Sequence, residues 1–139
     1  MTKALIIYHS KTGTTRKLGQ EIAKLCKQSD IESNIIPIEA FNKKDLTKVD
    51  YLFLGCWTHG HLIFNQHPEK EWVEFADKLP EIENKKIVLF TTYKVATGSM
   101  FRKMKTHLKC APDSVIMLIK SRNCFLKTED AETLRNYVF

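Results

Sequence analysis

At 139 residues, with 43% hydrophobic and 27% charged side chains, the chain has the length and composition of one globular domain covering residues 1–139, which excludes a disordered or fibrous protein. No apolar run approaches the ~20 residues of a membrane-spanning helix, and the opening MTKALIIYHSKTG is too briefly apolar for a secretory signal, so a cytoplasmic location is expected. A net charge of +6, from 22 Lys and Arg against 16 Asp and Glu, favours anionic partners without choosing among nucleic acid, an acidic protein and a phosphate-bearing small molecule.

The first apolar run, residues 4–8, reads as a strand. An amphipathic helix over residues 15–27 follows it, with Leu18, Ile22, Leu25 and Cys26 at spacings of three and four. Residues 35–38 form a weaker strand whose Pro37 places it at a sheet edge. Residues 40–49 are too short and polar for more than a turn or two of helix, and residues 51–56 make a third strand. A helix over 69–79 buries Trp72, Val73, Phe75, Ala76 and Leu79, with Pro68 at its start. A strand at 87–90 leads to a helix at 99–108 with Ser99 as N-cap. A strand at 115–119 leads to a last helix that Thr128 caps ahead of Glu129 and Asp130, acidic residues at the favourable end. Cys26, Cys56, Cys110 and Cys124 have neither CxxC nor other close spacing, which fits free thiols in a reducing compartment, with Cys26 and Cys56 as small buried hydrophobes.

None of the main strands alternates polar with apolar residues, so both sheet faces should be covered, as in parallel sheets flanked by helices. The order of elements is that of a doubly wound α/β domain with five parallel strands. In such sheets ligands sit beyond the carboxyl ends of the strands where the strand order reverses. For the order 2-1-3-4-5, these are the loops after the first and third strands.

The first of those loops, residues 10–15, carries four hydroxyls in six positions and runs from a strand into a helix. Gly13 permits unusual backbone angles or close approach, and the helix start offers free N–H groups and a positive dipole end. Together they suit a phosphate. GxxxxGK[ST] and GxGxxG are both missing, which points to a terminal monophosphate.

The pattern S-x-T-G-x-T after a first strand resembles the phosphate loop of the flavodoxin family, and the order of elements extends the resemblance over nearly the whole chain. The resemblance implies a flavodoxin-like three-layer fold and FMN bound noncovalently, its phosphate held at Ser10, Lys11, Thr12, Gly13, Thr14 and Thr15. It also implies electron transfer, with the flavin ring between two further loops. The stretch from Gly55 and Cys56 through Trp57, Thr58, His59 and Gly60 is similar to the family's Gly-Cys-x-Thr-aromatic sequence; Trp57 or His59 would face the ring, with backbone near Gly60 meeting its N5 edge. After the fourth strand, Thr92 and Tyr93 would supply pyrimidine-edge contacts and a second aromatic wall.

The flavin carries the redox chemistry in this reading, and no protein side chain is assigned a catalytic role. The basic charge, unlike that of acidic flavodoxins, points to a redox partner protein with an acidic docking surface. Cations such as Lys94 near the ring would favour its anionic reduced form. His59, His61 and His67 lie in a glycine-rich apolar stretch that does not enforce ligand geometry, so no metal site is expected. Lys and Arg interleave with acids along the helices, which argues against nucleic acid. Two alternatives stand beside the carrier: an FMN-dependent reductase of a quinone or other small acceptor, and a cofactor-free flavodoxin-like binding module.

Overall fold

The apolar runs at 4–8, 51–56 and 87–90 form the centre of a sheet covered on both faces, whereas the run at 115–119 forms an edge strand that leaves Ile116 and Leu118 exposed, in a computed structural model that describes residues 2–61 and 64–139. The strands are β1 (Lys3–His9), β2 (Glu32–Pro37), β3 (Tyr51–His61), β4 (Phe64–Pro68), β5 (Lys86–Thr92) and β6 (Val115–Ser121). The helices are α1 (Thr14–Gln28), α2 (Lys70–Lys78), α3 (Met100–Thr106) and α4 (Thr128–Thr133). The strands lie in the order β2-β1-β3-β5-β6, each adjacent pair parallel, with β4 attached to β3 alone. With β4 set aside, this is the expected five-strand order, and β2 is an edge strand as Pro37 requires.

Three boundaries differ from expectation. Residues 57–60 are strand, not loop: β3 runs on past the sheet and its far end pairs antiparallel with β4, Thr58 opposite Pro68 and His59 opposite His67. Trp57 and Thr58 favour extended backbone; Trp57 still pairs with Thr92 of β5, and Thr58 and His59 find a partner in the chain's own return. Leu62 and Ile63, in the connection, lie outside the described residues. Glu69, not Pro68, caps α2, its carboxylate accepting from the Glu71 N–H. Lys127 occupies the N-cap position of α4 and Thr128 is its first helical residue. Ser99 does stand at the N-cap position of α3, but its hydroxyl donates to the Gln66 carbonyl at 2.9 Å and so ties α3 to β4. The connection after β2 holds only two short 3₁₀ turns, Ile38–Ala40 and Lys43–Leu46.

Two cores result. On one face Leu5, Ile7, Leu52, Leu54 and Leu89 meet Trp72 and Ala76 of α2 and Met100 and Met104 of α3. On the other, Ile6, Phe53, Val88 and Phe90 meet Leu18 and Ile22 of α1 and Leu134 in the C-terminal segment. The Tyr51 hydroxyl donates to the Val138 carbonyl at 2.7 Å, which holds the chain end against this second core.

The approach of α1 to the sheet is set by two glycines. Gly55 of β3 lies opposite Phe90 of β5, and a Cβ at Gly55 would overlap the Cε2–Cζ edge of the Phe90 ring. A Cβ at Gly19 of α1 would come 2.9 Å from Ile35 Cδ1 and 3.6 Å from Phe90 Cζ. Phe90 therefore occupies the space that Gly55 vacates and lies in ordinary contact with Gly19, where Ile35 takes the closest position, so its packing bears on how α1, and the loop that opens it, sits on the sheet.

Cys26 and Cys56 are both fully buried, and burial pushes their thiols up to about 12. At pH 8 such a thiol is ionised in about one molecule in ten thousand, and the thiolate is the nucleophile. Native alkylation at pH 8 is expected to modify Cys124 first and to leave Cys26 and Cys56 intact until denaturant is added. Mass mapping of the modified cysteines checks this, and rapid native labelling at Cys56 would contradict the buried placement.

Candidate functional site

The chain leaves β1 at His9 and reaches α1 through a tight loop. Gly13 occupies the N-cap position of α1 with φ +89°, a backbone angle that side-chain-bearing residues rarely adopt. Its N–H donates to Ser10 Oγ at 2.9 Å, and its carbonyl accepts from the Lys17 N–H at 3.0 Å. The hydroxyls of Thr12 and Thr14 lie 3.3 Å apart. Thr15 is buried, and its hydroxyl is 2.6 Å from that of Thr92 at the end of β5, so it staples the loop to the sheet. His9 braces the same strand end: its Nε2 lies 2.9 Å from Glu69 Oε2 and 3.4 Å from Glu71 Oε2 at the start of α2.

Helix α1 carries no acidic residue in its first turn, and instead places Arg16 and Lys17 there. Cations oppose the positive end of a helix dipole, whereas α2 and α4 open with acidic residues of the favourable sign. The free N–H groups and positive dipole end of this helix start have no acidic side chain beside them in the first turn, an arrangement that an anion completes.

Above the loop, a cavity of about 500 Å³ lies at the carboxyl edge of the sheet. Lys11, Thr12 and Thr14 form its floor; Trp57, Thr58 and His59 of β3 and Gln66 of β4 form one side; residues 92–96 and Arg122 form the other. Lys11 Nζ stands 5.1 Å over the Trp57 ring, and the Trp57 and His59 rings meet edge to face at 4.9 Å. On the opposite side the Arg122 guanidinium is 5.7 Å from the Tyr93 ring centre and Lys120 Nζ is 6.0 Å from it. The Thr91 hydroxyl donates to the Cys56 carbonyl at 2.6 Å, leaving Thr58 to donate to Thr91 at 2.7 Å, so β3 and β5 are locked where the cavity begins.

The pattern of residues 5–127 matches the sequence model of the flavodoxin domain. The chain belongs to the flavodoxin family. It is 33% identical over 98 residues to the flavodoxin of Clostridium beijerinckii, covering 70% of this chain and 69% of that one. It is 30% identical over 95 residues to the flavodoxin of Megasphaera elsdenii, covering 67% and 66%. Among solved structures, the two-electron reduced flavodoxin of Megasphaera elsdenii superposes with a TM-score of 0.72 at 23% identity over 95% of both chains. Oxidised flavodoxin 2 from Bacillus cereus gives 0.71 at 21% identity, over 99% of this chain and 95% of that one. Family membership makes this an FMN-binding electron-transfer protein.

The residues present fit that cofactor. A cavity of about 500 Å³ lies within the roughly 300–1,000 Å³ of small-molecule sites, joins aromatic walls to a hydroxyl-rich helix start, and has no carboxylate among its described lining residues. Of the residues expected from the sequence, Lys11, Thr12, Thr14, Trp57, Thr58, His59, Thr92 and Tyr93 line the cavity together. Ser10 and Gly13 shape the loop, Thr15 turns its hydroxyl inward, and Gly60 belongs to the extended part of β3. Sequence reasoning missed Gln66, Val95, Ala96 and Arg122. Arg122 was within reach, because it directly follows the last strand and ligands gather at carboxyl ends. Gln66 gave no local signal: it is buried through contact with Gly98 and the start of α3.

Proposed function

We propose that the whole chain forms one flavin-binding unit, a cytoplasmic electron carrier that holds the FMN phosphate in loop 10–15 and the ring between the β3 and β5 ends, and serves a redox partner with an acidic docking face. The observation that carries this reading is the convergence on one cavity of an acid-free helix start, the Trp57 and His59 side, and the Tyr93 side. The phosphate binds where N–H groups and the helix dipole favour negative charge, helped by Lys11 and by the Thr12 and Thr14 hydroxyls. Tyr93 and the Trp57–His59 pair offer flat apolar faces that exclude water from the ring. Bound FMN supplies one- and two-electron redox chemistry; the protein orients it and sets its electrostatic surroundings. Lys11, Lys94 and Arg122, all lining the cavity, favour negative charge on the ring. Among the described residues no helix is long and apolar enough to cross a membrane, and the four thiols are free, which supports a reducing compartment.

Titration of FMN into the purified protein tests the reading. One FMN per chain is expected, with quenched flavin fluorescence, a calorimetric signal and a yellow product. No heat and no quenching would sink it. The loaded protein is then expected to oxidise NADH or NADPH no faster than free FMN does; rapid oxidation in the presence of a quinone would replace the carrier with the reductase.

A further inference from the structure

The turn after β6 has features that FMN binding does not require. Ser121 is buried, and its hydroxyl donates to the Phe125 carbonyl at 2.8 Å. The Phe125 N–H donates to Asn123 Oδ1 at 2.9 Å, and the Asn123 N–H to Ser121 Oγ at 3.2 Å. Leu126 packs on the core beside α1. These contacts brace a short turn so that Arg122 points back over Tyr93 while Phe125, 62% exposed, points to solvent. An ordered turn that exposes a phenyl ring gives up the burial that ring would otherwise gain. Val95, on the cavity rim, is 46% exposed.

The same two segments carry Lys94, Lys120, Arg122 and Lys127, all exposed, and residues 93–98 and 120–127 contain no Asp or Glu, the nearest acids being Glu129 and Asp130 in the first turn of α4. An apolar centre with a charged rim is the anatomy of a protein docking site, with the rim charge steering association. We propose that Phe125 and its basic rim are the docking epitope for an acidic one-electron carrier protein, whose redox centre is thereby brought beside the Tyr93 edge of the cavity. Its occupant is a protein and not a small acceptor, because Phe125 and Lys127 lie outside the cavity lining while sharing the turn with Arg122. The inference rests on the FMN carrier reading and locates where that carrier meets its partner.

Stopped-flow electron transfer from a reduced acidic [2Fe–2S] ferredoxin, used as the probe, to the oxidised FMN-loaded protein tests it. One electron leaves the iron–sulfur cluster, which is oxidised, and enters the loaded protein, which is reduced by one. The rate constant is expected to fall steeply as salt is raised. Lys127→Glu, at a residue that is not among those lining the cavity, is expected to cut the low-salt rate several-fold. Lys27→Glu makes the same change in net charge at the far end of α1, and is expected to change the rate less than twofold. Phe125→Ala is expected to slow transfer several-fold with its salt dependence retained. Equal effects of the two charge reversals, or no effect of Phe125→Ala, would overturn the epitope. FMN content, read from absorbance on each sample, separates the two levels: a wild-type chain that holds no FMN overturns the carrier reading and the epitope with it, whereas loaded variants that behave alike overturn the epitope alone.

Discussion

Gly13→Asp is expected to weaken FMN binding at least a hundredfold, while Gly13→Asn keeps it within about tenfold of the wild type. The two substitutions have the same size and enter the same space, since a Cβ at Gly13 meets nothing within 4 Å. Asn and Asp are also the residues that best tolerate positive φ after glycine, so the backbone cost at φ +89° is shared between them, at about 1–2 kcal/mol. What differs is charge. A carboxylate within ~5 Å of one phosphate charge, at an effective dielectric near 20, contributes about 3 kcal/mol of repulsion, which is more than a hundredfold in affinity. It would also neutralise the positive field that the start of α1 and Arg16 and Lys17 create. Riboflavin, which has no phosphate, supplies the control: its weaker binding is expected to differ little between the Asn and Asp variants. Fluorescence titrations with both ligands check this. Equal FMN affinities for the Asn and Asp variants would place the phosphate away from this loop.

That loop was legible because its information is local. Hydroxyls around a glycine, between an apolar run and an amphipathic helix, describe the same turn in any α/β protein. The strands at 4–8, 51–56 and 87–90 were legible for a related reason, since burial on both faces leaves continuous apolar runs; the run at 115–119 reads the same way although β6 is an edge strand with Ile116 and Leu118 exposed. The β3–β4 excursion was not. β4 reads FNQHP, with Asn65 at φ +56° and a terminal proline, and its pairing partner is a strand tail that has already left the sheet. Its buried described residues are Gln66 and Pro68, so no hydrophobic period marks it. Thr15 shows the same limit inside the site: its place was evident, but its hydroxyl goes to Thr92, 77 residues away, a pairing that only the closed sheet creates.

Gly55→Ala is expected to lower stability by about 1–3 kcal/mol, the usual penalty for forcing a methyl group into a filled core. For a chain of this length that corresponds to a fall in Tm of roughly 3–10 °C. The added Cβ would overlap the Cε2–Cζ edge of the Phe90 ring, which is fully buried and lies against Gly19 of α1, so the ring has little room to withdraw. Pushing Phe90 therefore pushes α1, and the first turn of α1 is the phosphate site. FMN affinity is accordingly expected to fall several-fold in Gly55→Ala and further in Gly55→Val, although Gly55 does not line the cavity. Phe90→Leu in the same chain relieves the overlap. The double variant is expected to recover both Tm and FMN affinity relative to Gly55→Ala, with a coupling of about 1 kcal/mol or more, as substitutions in direct contact show. A Gly55→Ala chain that loses stability yet binds FMN as the wild type does would mean that α1 is anchored independently of Phe90. Strict additivity of the two substitutions would mean that the ring and the glycine do not share this space.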